Sequence, residues 1–136
     1  MPLQVQVVSP ERILWSGEAD MVSARTIGGG EIAWLTGHAP FVGALDIGRV
    51  VIRPPQGADE VVAVHGGFVE VSNDRVTILS DVAELQSQID VSRARAARDR
   101  AEAALRGETD AEAEAALRRA TVRLQVAGDT AATAAH

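Results

Sequence analysis

The stretch VVIRPPQGADEVVAVHGGFVEVSNDRVTIL, residues 50–79, decides the fold. It breaks into short apolar runs separated by turn formers: RVVIR (49–53) and EVVAV (60–64) flank PPQG, while FVEV (68–71) and RVTIL (75–79) flank SND. β-branched runs bounded by Pro, Gly and Asn-Asp are strand signals. VVIRPPQGADEVVAV therefore reads as one hairpin, and GGFVEVSNDRVTIL as a second that turns at Asn73 and Asp74. Upstream the same pattern holds. LQVQVV (3–8) alternates strictly, with Leu3, Val5 and Val7 on one face and Gln4 and Gln6 on the other. RILW (12–15), EADMVSA (18–24) and EIAWL (31–35) follow, with Gly17, GGG (28–30), GH (37–38), IG (47–48) and GG (66–67) read as the turns between runs. Short strands at close spacing, with little helix between them, predict a β-sandwich or barrel over residues 1–82.

After residue 81 the aromatics vanish and alanine dominates. The spacing of apolar residues changes to three and four, which predicts an antiparallel α-helical hairpin over residues 88–127. Asp90 is the expected cap of its first helix, whose stripe is Val91, Ala94, Ala97, Ala101, Ala104 and Leu105 up to Gly107. TDAE (109–112) has capping-box spacing, with Thr109 as cap and Glu112 reaching back. The second stripe is Ala113, Ala116, Leu117, Ala120 and Leu124, ending before Gly128; residues 128–136 are expected to be a disordered tail. With so short a connection, residue 93 faces 123 and residue 100 faces about 116, bringing Arg93, Arg100, Arg119 and Arg123 together. Each buried CH₂ is worth roughly 0.8 kcal/mol, so a seam of alanines holds two helices weakly. The hairpin is expected to depend on docking, to its own sandwich or to a partner.

Composition excludes much chemistry. The chain has 136 residues, a net charge of −6, no cysteine and no lysine, so all 13 of its basic residues are arginine. Thiol nucleophiles, zinc-thiolate sites, Schiff-base lysines and P-loops are ruled out. An acidic surface argues against nucleic-acid binding. There is no apolar run of about eighteen residues and no signal-peptide pattern at the N-terminus, so a soluble, cytoplasmic chain that meets a membrane only through another protein is expected. His38 and His65 lack the spacing of a metal pair, and no nucleophile elbow accompanies them. His65 is expected at a strand end. GGGEIAWLTGHAP (28–40) is left as either a binding rim or a plain turn with a solvated Glu31.

GEIAWLTGHAP (30–40), HGGFVEV (65–71), VTILSD (76–81) and IDVSRA (89–94), in that order, resemble the epsilon subunit of F-type ATP synthases. Thr36 stands where that family commonly has proline, and Ala33 where it commonly has glycine. The resemblance implies a β-sandwich followed by a helical hairpin, in a non-catalytic rotor subunit of the central stalk at the cytoplasmic face of the cell membrane. It implies that the sandwich joins the gamma subunit to the c-ring, with Gly30, Glu31, Gly37 and His38 on the partner-binding rim. It further implies that the hairpin restrains ATP hydrolysis by extending along gamma to the alpha/beta catalytic head. No cofactor is required. IDVSRA is also similar to a nucleotide motif of that family, which implies regulatory ATP at Glu84, Asp90, Arg93, Arg100, Arg119 and Arg123, where guanidinium forks suit phosphate. The plainer reading of the helices is a solvated face of pairs such as Arg95 with Asp99 and Arg98 with Glu102. Two other readings are a free-standing ATP-sensing module and, more remotely, a small enzyme using His38 and Glu31.

Overall fold

In the computed structural model, which describes residues 2–107 and 110–128, the chain runs β1 (Leu3–Val8), β2 (Ile13–Ala19), β3 (Met21–Thr26), β4 (Gly30–Leu35), β5 (Phe41–Arg53), β6 (Glu60–Ser72), β7 (Arg75–Leu79) and β8 (Ala83–Leu85), then α1 (Val91–Leu105) and α2 (Ala111–Ala127). The strands form one mixed sheet in the order β2-β1-β7-β6-β5-β3-β4, with β8 added beside β6. All neighbours are antiparallel except β1 and β7, which run parallel. The sheet curls around a single core that contains Leu3, Val5, Val7, Trp34, Leu45, Ile52, Val62, Val69 and Ile78. This is the predicted sandwich followed by the predicted hairpin.

Four local expectations change. Gly17 does not interrupt a strand: β2 passes through it to Ala19, and the chain turns instead at Asp20, whose amide donates to the Arg53 carbonyl. IG and GG are not turns either. β5 and β6 each run 13 residues, straight through Gly48 and through Gly66–Gly67. The reason lies in the parity of the side chains. On β6, Val62 and Val64 face the core before the glycines, and Val69 and Val71 after them. An odd step separates the two sets, so a strict period of two breaks there and the sequence reads as two strands. Gly66 (φ 91°) and Gly67 (φ 129°) absorb the switch in a backbone region closed to most side chains. A Cβ on Gly67 would lie 2.2 Å from the Leu79 carbonyl oxygen. Third, the sheet does not end at residue 82, because β8 pairs Ala83–Leu85 with Val62–Val64 of β6. Fourth, α2 is capped by Asp110, whose carboxylate accepts from the amides of Glu112 and Ala113. Thr109, the expected cap, and the expected tail beyond Gly128 lie outside the described residues.

Other signals hold. Asn73 and Asp74 both take positive φ in the two-residue turn that joins β6 to β7. The Asp90 carboxylate accepts from the Arg93 amide to cap α1, and Gly128 closes α2 in the left-handed conformation. Ala94 and Leu124 pack together across the hairpin, in keeping with the expected register. α2 buries more than its predicted stripe, however. Val122 and Val126 leave the helix–helix seam and pack with Ala63, Ile47, Val61 and Ile89, tying the hairpin to the sandwich.

Gly67→Ala should destabilise the folded chain by more than about 2 kcal/mol, because a methyl collides with backbone that cannot move aside. Gly57→Ala, at φ 96° with open space around it, should cost only the left-handed strain of about 1–2 kcal/mol. Urea denaturation of the two variants measures the difference.

Candidate functional site

At the junction between sandwich and hairpin, charged groups of both meet: Glu84 and Asp46 of the sandwich face Arg123 and Arg118 of α2. The first half of β6 is covered on both faces. Val62 and Val64 look into the core, while Ala63 meets α2. His65 follows on the α2 side, paired across to Ile47 of β5. Its ring is 3% exposed. It is therefore a buried mid-strand residue and not the expected strand end. Nε2 lies 3.4 Å from Glu84 Oε1 on β8. A carboxylate only accepts, so Nε2 carries the proton and donates. The same Glu84 oxygen accepts from Arg123 Nε of α2 at 2.5 Å. His65 Nδ1 is buried and has no hydrogen-bond partner among the described residues. Burial first, and then the Arg123 guanidinium, hold the His65 pKa below its ordinary value, against the opposing pull of Glu84. Arg119 adds a smaller push in the same direction.

On the other side of α2, Arg118 Nη2 reaches Asp46 Oδ1 of β5 at 3.2 Å, and the same oxygen accepts from the Ile47 amide at 2.8 Å. A groove of about 550 Å³ opens there, walled by Ile47, Leu117 and Val122 and rimmed by Arg25, Arg49, Arg98 and Arg118. Glu31, Asp46 and Glu102 also line it, so the arginine charge is nearly balanced. Two ion pairs, Arg123 with Glu84 and Arg118 with Asp46, thus flank the apolar contact of Val122 and Val126.

The six residues expected at a nucleotide site are only partly gathered. Glu84 and Arg123 are joined directly. Arg119 acts on the same histidine but donates to Glu112 at 2.8 Å. Asp90 serves as the α1 cap. Arg93 and Arg100 are exposed on α1, each one residue before a buried seam alanine, Ala94 and Ala101. Arg98, expected opposite Glu102 in the plainer reading, has its Nε 3.4 Å from Oδ1 of its chain neighbour Asp99 instead.

The four rim residues are exposed but stand in two places. Gly30 and Glu31 open β4, with Glu31 paired across to Arg25 and lining the groove beneath the hairpin. Gly37 and His38 lie past the far end of β4, in a turn held by the Gly37 amide donating to Asp74 Oδ1 at 2.7 Å. His38 Nδ1 is 2.6 Å from the Ala39 carbonyl oxygen. Nothing in the sequence reading singled out Asp46, Arg118 or the burial of His65. The uninterrupted apolar run VVAV, too long for a strand with one wet face, was the available sign that something covers β6 on both sides.

The outer face of the second half of β6 is different. Phe68 is 59% exposed and sits in a cross-strand row with Leu79, Val8 and Ile13 on one side and Ala44 on the other. The Ile27 amide donates to Ala44, so the row runs on to exposed Ile27 beside the glycine turn. Val42, also exposed, lies two residues along β5.

Comparison with known proteins agrees with this architecture. Residues 2–86 match the family "ATP synthase, Delta/Epsilon chain, beta-sandwich domain", and residues 87–128 match "ATP synthase, Delta/Epsilon chain, long alpha-helix domain". An ATP synthase epsilon chain of Streptomyces griseus is 44% identical over 123 residues, which is 90% of this chain and 93% of the relative. Another, of Halalkalibacterium halodurans, is 47% identical over 131 residues, 93% and 97% of the two chains. A chain in the Euglena gracilis mitochondrial ATP synthase structure, OSCP/F1/c-ring, shares the fold with a TM-score of 0.71 at 20% identity, covering 99% of this chain and 82% of its own. A chain of the Tetrahymena thermophila central stalk/c-ring structure does so with a TM-score of 0.62 at 15% identity, covering 93% and 97%. No described helix is long and apolar enough to cross a membrane. With both halves matched in order and relatives nearly half identical along almost their whole length, the chain belongs to the delta/epsilon chain family of ATP synthase, as a non-catalytic subunit.

Proposed function

We propose that the chain works in the rotor, where its sandwich joins the gamma subunit to the c-ring and its hairpin restrains ATP hydrolysis. The observation that carries the reading is the exposed apolar row from Ile13 through Leu79 and Phe68 to Ile27. Isolated exposed apolar residues are ordinary, but a row crossing six successive chain segments is a surface kept for a partner. An apolar row suits the packed surface of gamma better than polar loops at a membrane. The adjoining turn, with Gly28, Gly30 and Glu31, presents backbone and a carboxylate that suit those loops of the c-ring. Phe68→Glu and Leu79→Glu change only exposed side chains and should leave the fold intact. Each should weaken association with purified gamma by at least about 30-fold, the effect of losing a central anchor. Unchanged association in both variants would remove the row from the gamma interface.

The hairpin is the regulatory arm in this reading. It touches the sandwich through a small apolar contact and two ion pairs, and leaving exposes arginines that can meet acidic surfaces of the alpha/beta head. Ending the chain after Gln88 keeps every strand. ATP hydrolysis by the assembled complex should then rise, and a loss of coupling between hydrolysis and proton movement would instead make the hairpin structural.

ATP is proposed as a weak regulatory ligand of the same arm, at Glu84, Asp90, Arg93, Arg100, Arg119 and Arg123. Arg123 and Arg119 already serve carboxylates, so binding must exchange those contacts for phosphate. Much of the gain from each charge-assisted contact, about 1.5–3 kcal/mol, is cancelled. Affinity in the high micromolar range or weaker is expected, by order of magnitude. Calorimetry should show a loss on Arg93→Ala and little change on Arg98→Ala; equal losses would mean nonspecific charge attraction.

A further inference from the structure

Among the described residues, His65 joins a buried ring to a direct link, through Glu84, with an arginine of the docked hairpin. We propose that His65 is a proton-operated latch for the hairpin: a proton gained by its ring drives α2 off the sandwich. This rests on the reading of the hairpin as a detachable arm.

The geometry carries the argument. Neutral His65 fits its pocket: Nε2–H donates to Glu84 and Nδ1 is an unshared acceptor. An imidazolium would put a second N–H at Nδ1, which has no hydrogen-bond partner among the described residues. A buried donor without a partner is costly, and a buried charge more so. The charged groups acting on the ring are Glu84 from β8 and Arg123 and Arg119 from α2, while its cross-strand partner on β5 is the uncharged Ile47. Two of the three are guanidiniums carried by the arm itself. Glu84 is shared with Arg123 at 2.5 Å, so its single charge, already facing a guanidinium, offsets an imidazolium only in part. Protonation therefore attacks the docked state twice, by repulsion from the guanidiniums of α2 and by the buried N–H it creates at Nδ1.

The sign follows from which state holds the proton. With α2 docked, burial and Arg123 hold the pKa below the ordinary value. With α2 gone, the ring regains water and loses both guanidiniums but keeps Glu84, so its pKa rises. The undocked state binds more protons. Docking is thus fully favoured above the undocked pKa, near or above the ordinary value of about 6.5, and weakens as pH falls below it, by up to about tenfold per pH unit. The slope ends once pH has passed below the docked pKa.

The test uses the full chain. Cysteines replacing exposed Gln6 of β1 and Glu114 of α2, in a chain that has no other cysteine, carry spin labels whose separation reports docking. Between about pH 8 and pH 5 the docked fraction should fall in this protein and stay level in the same protein carrying His65→Gln, which fills the pocket with a neutral amide. Equal pH profiles in the two overturn the latch while leaving the arm detachable. A separation fixed across the range in both also overturns it. If Val122→Asp with Val126→Asp then fails to release α2 as well, the detachable arm falls with it. Should His65→Gln not fold, the ring titration followed by NMR decides: its midpoint should be higher in the Val122→Asp, Val126→Asp chain than in the unaltered one. Equal midpoints would overturn the latch.

Discussion

A single steric constraint organises this molecule: between the Gly67 α-carbon and the Leu79 carbonyl there is no room for a methyl group. That approach lets β6 reverse the faces of its side chains at Gly66–Gly67 without leaving the sheet. Because β6 stays continuous, one strand pairs with β5 along both its halves, with β8 at its start and with β7 at its end. One sheet can then curl round one core instead of splitting into two.

The same bend separates two working surfaces. Before it, the outer face of β6 carries Val61, Ala63 and His65 and is covered by α2. After it, the outer face carries Phe68 and Glu70 and is open to solvent. A strand of strict period two, set across a flat sheet, would offer one continuous outer face, and a hairpin docked on it would compete with any partner for the same row. The bend turns them apart. The function proposed above, a lasting partner on one face and a detachable arm on the other, requires that separation.

The hairpin is held by little. Its helix–helix seam is mostly alanine, and its grip on the sandwich is two valines with an ion pair on either side. Partly exposed pairs such as Arg118 with Asp46 contribute about 1 kcal/mol or less. The dominant control over docking is therefore whatever happens under the valines, where His65 is the buried ionisable group facing α2.

Sequence by itself determined the elements whose causes are local. Strict alternation in LQVQVV, the positive-φ pair Asn73–Asp74, the Asp90 cap and the Gly128 stop all act within a few residues, and all stand where the pattern put them. The resemblance of four motifs to the epsilon subunit was legible for the same reason, as short strings in fixed order. Tertiary structure alone decided the rest. Two glycines that look like a turn become the middle of a 13-residue strand because β5 pairs with β6 on both sides of them. Glu31 and His38, seven residues apart, are set at opposite ends of β4, while Asp46 and Arg118, 72 residues apart, are joined. His65 is a surface residue or a buried one according to whether a helix that begins 46 residues later lies on it. The VVAV run before it signalled cover on both faces of β6, but the groups that desolvate and repel the ring come from other elements and leave no mark beside it in the chain.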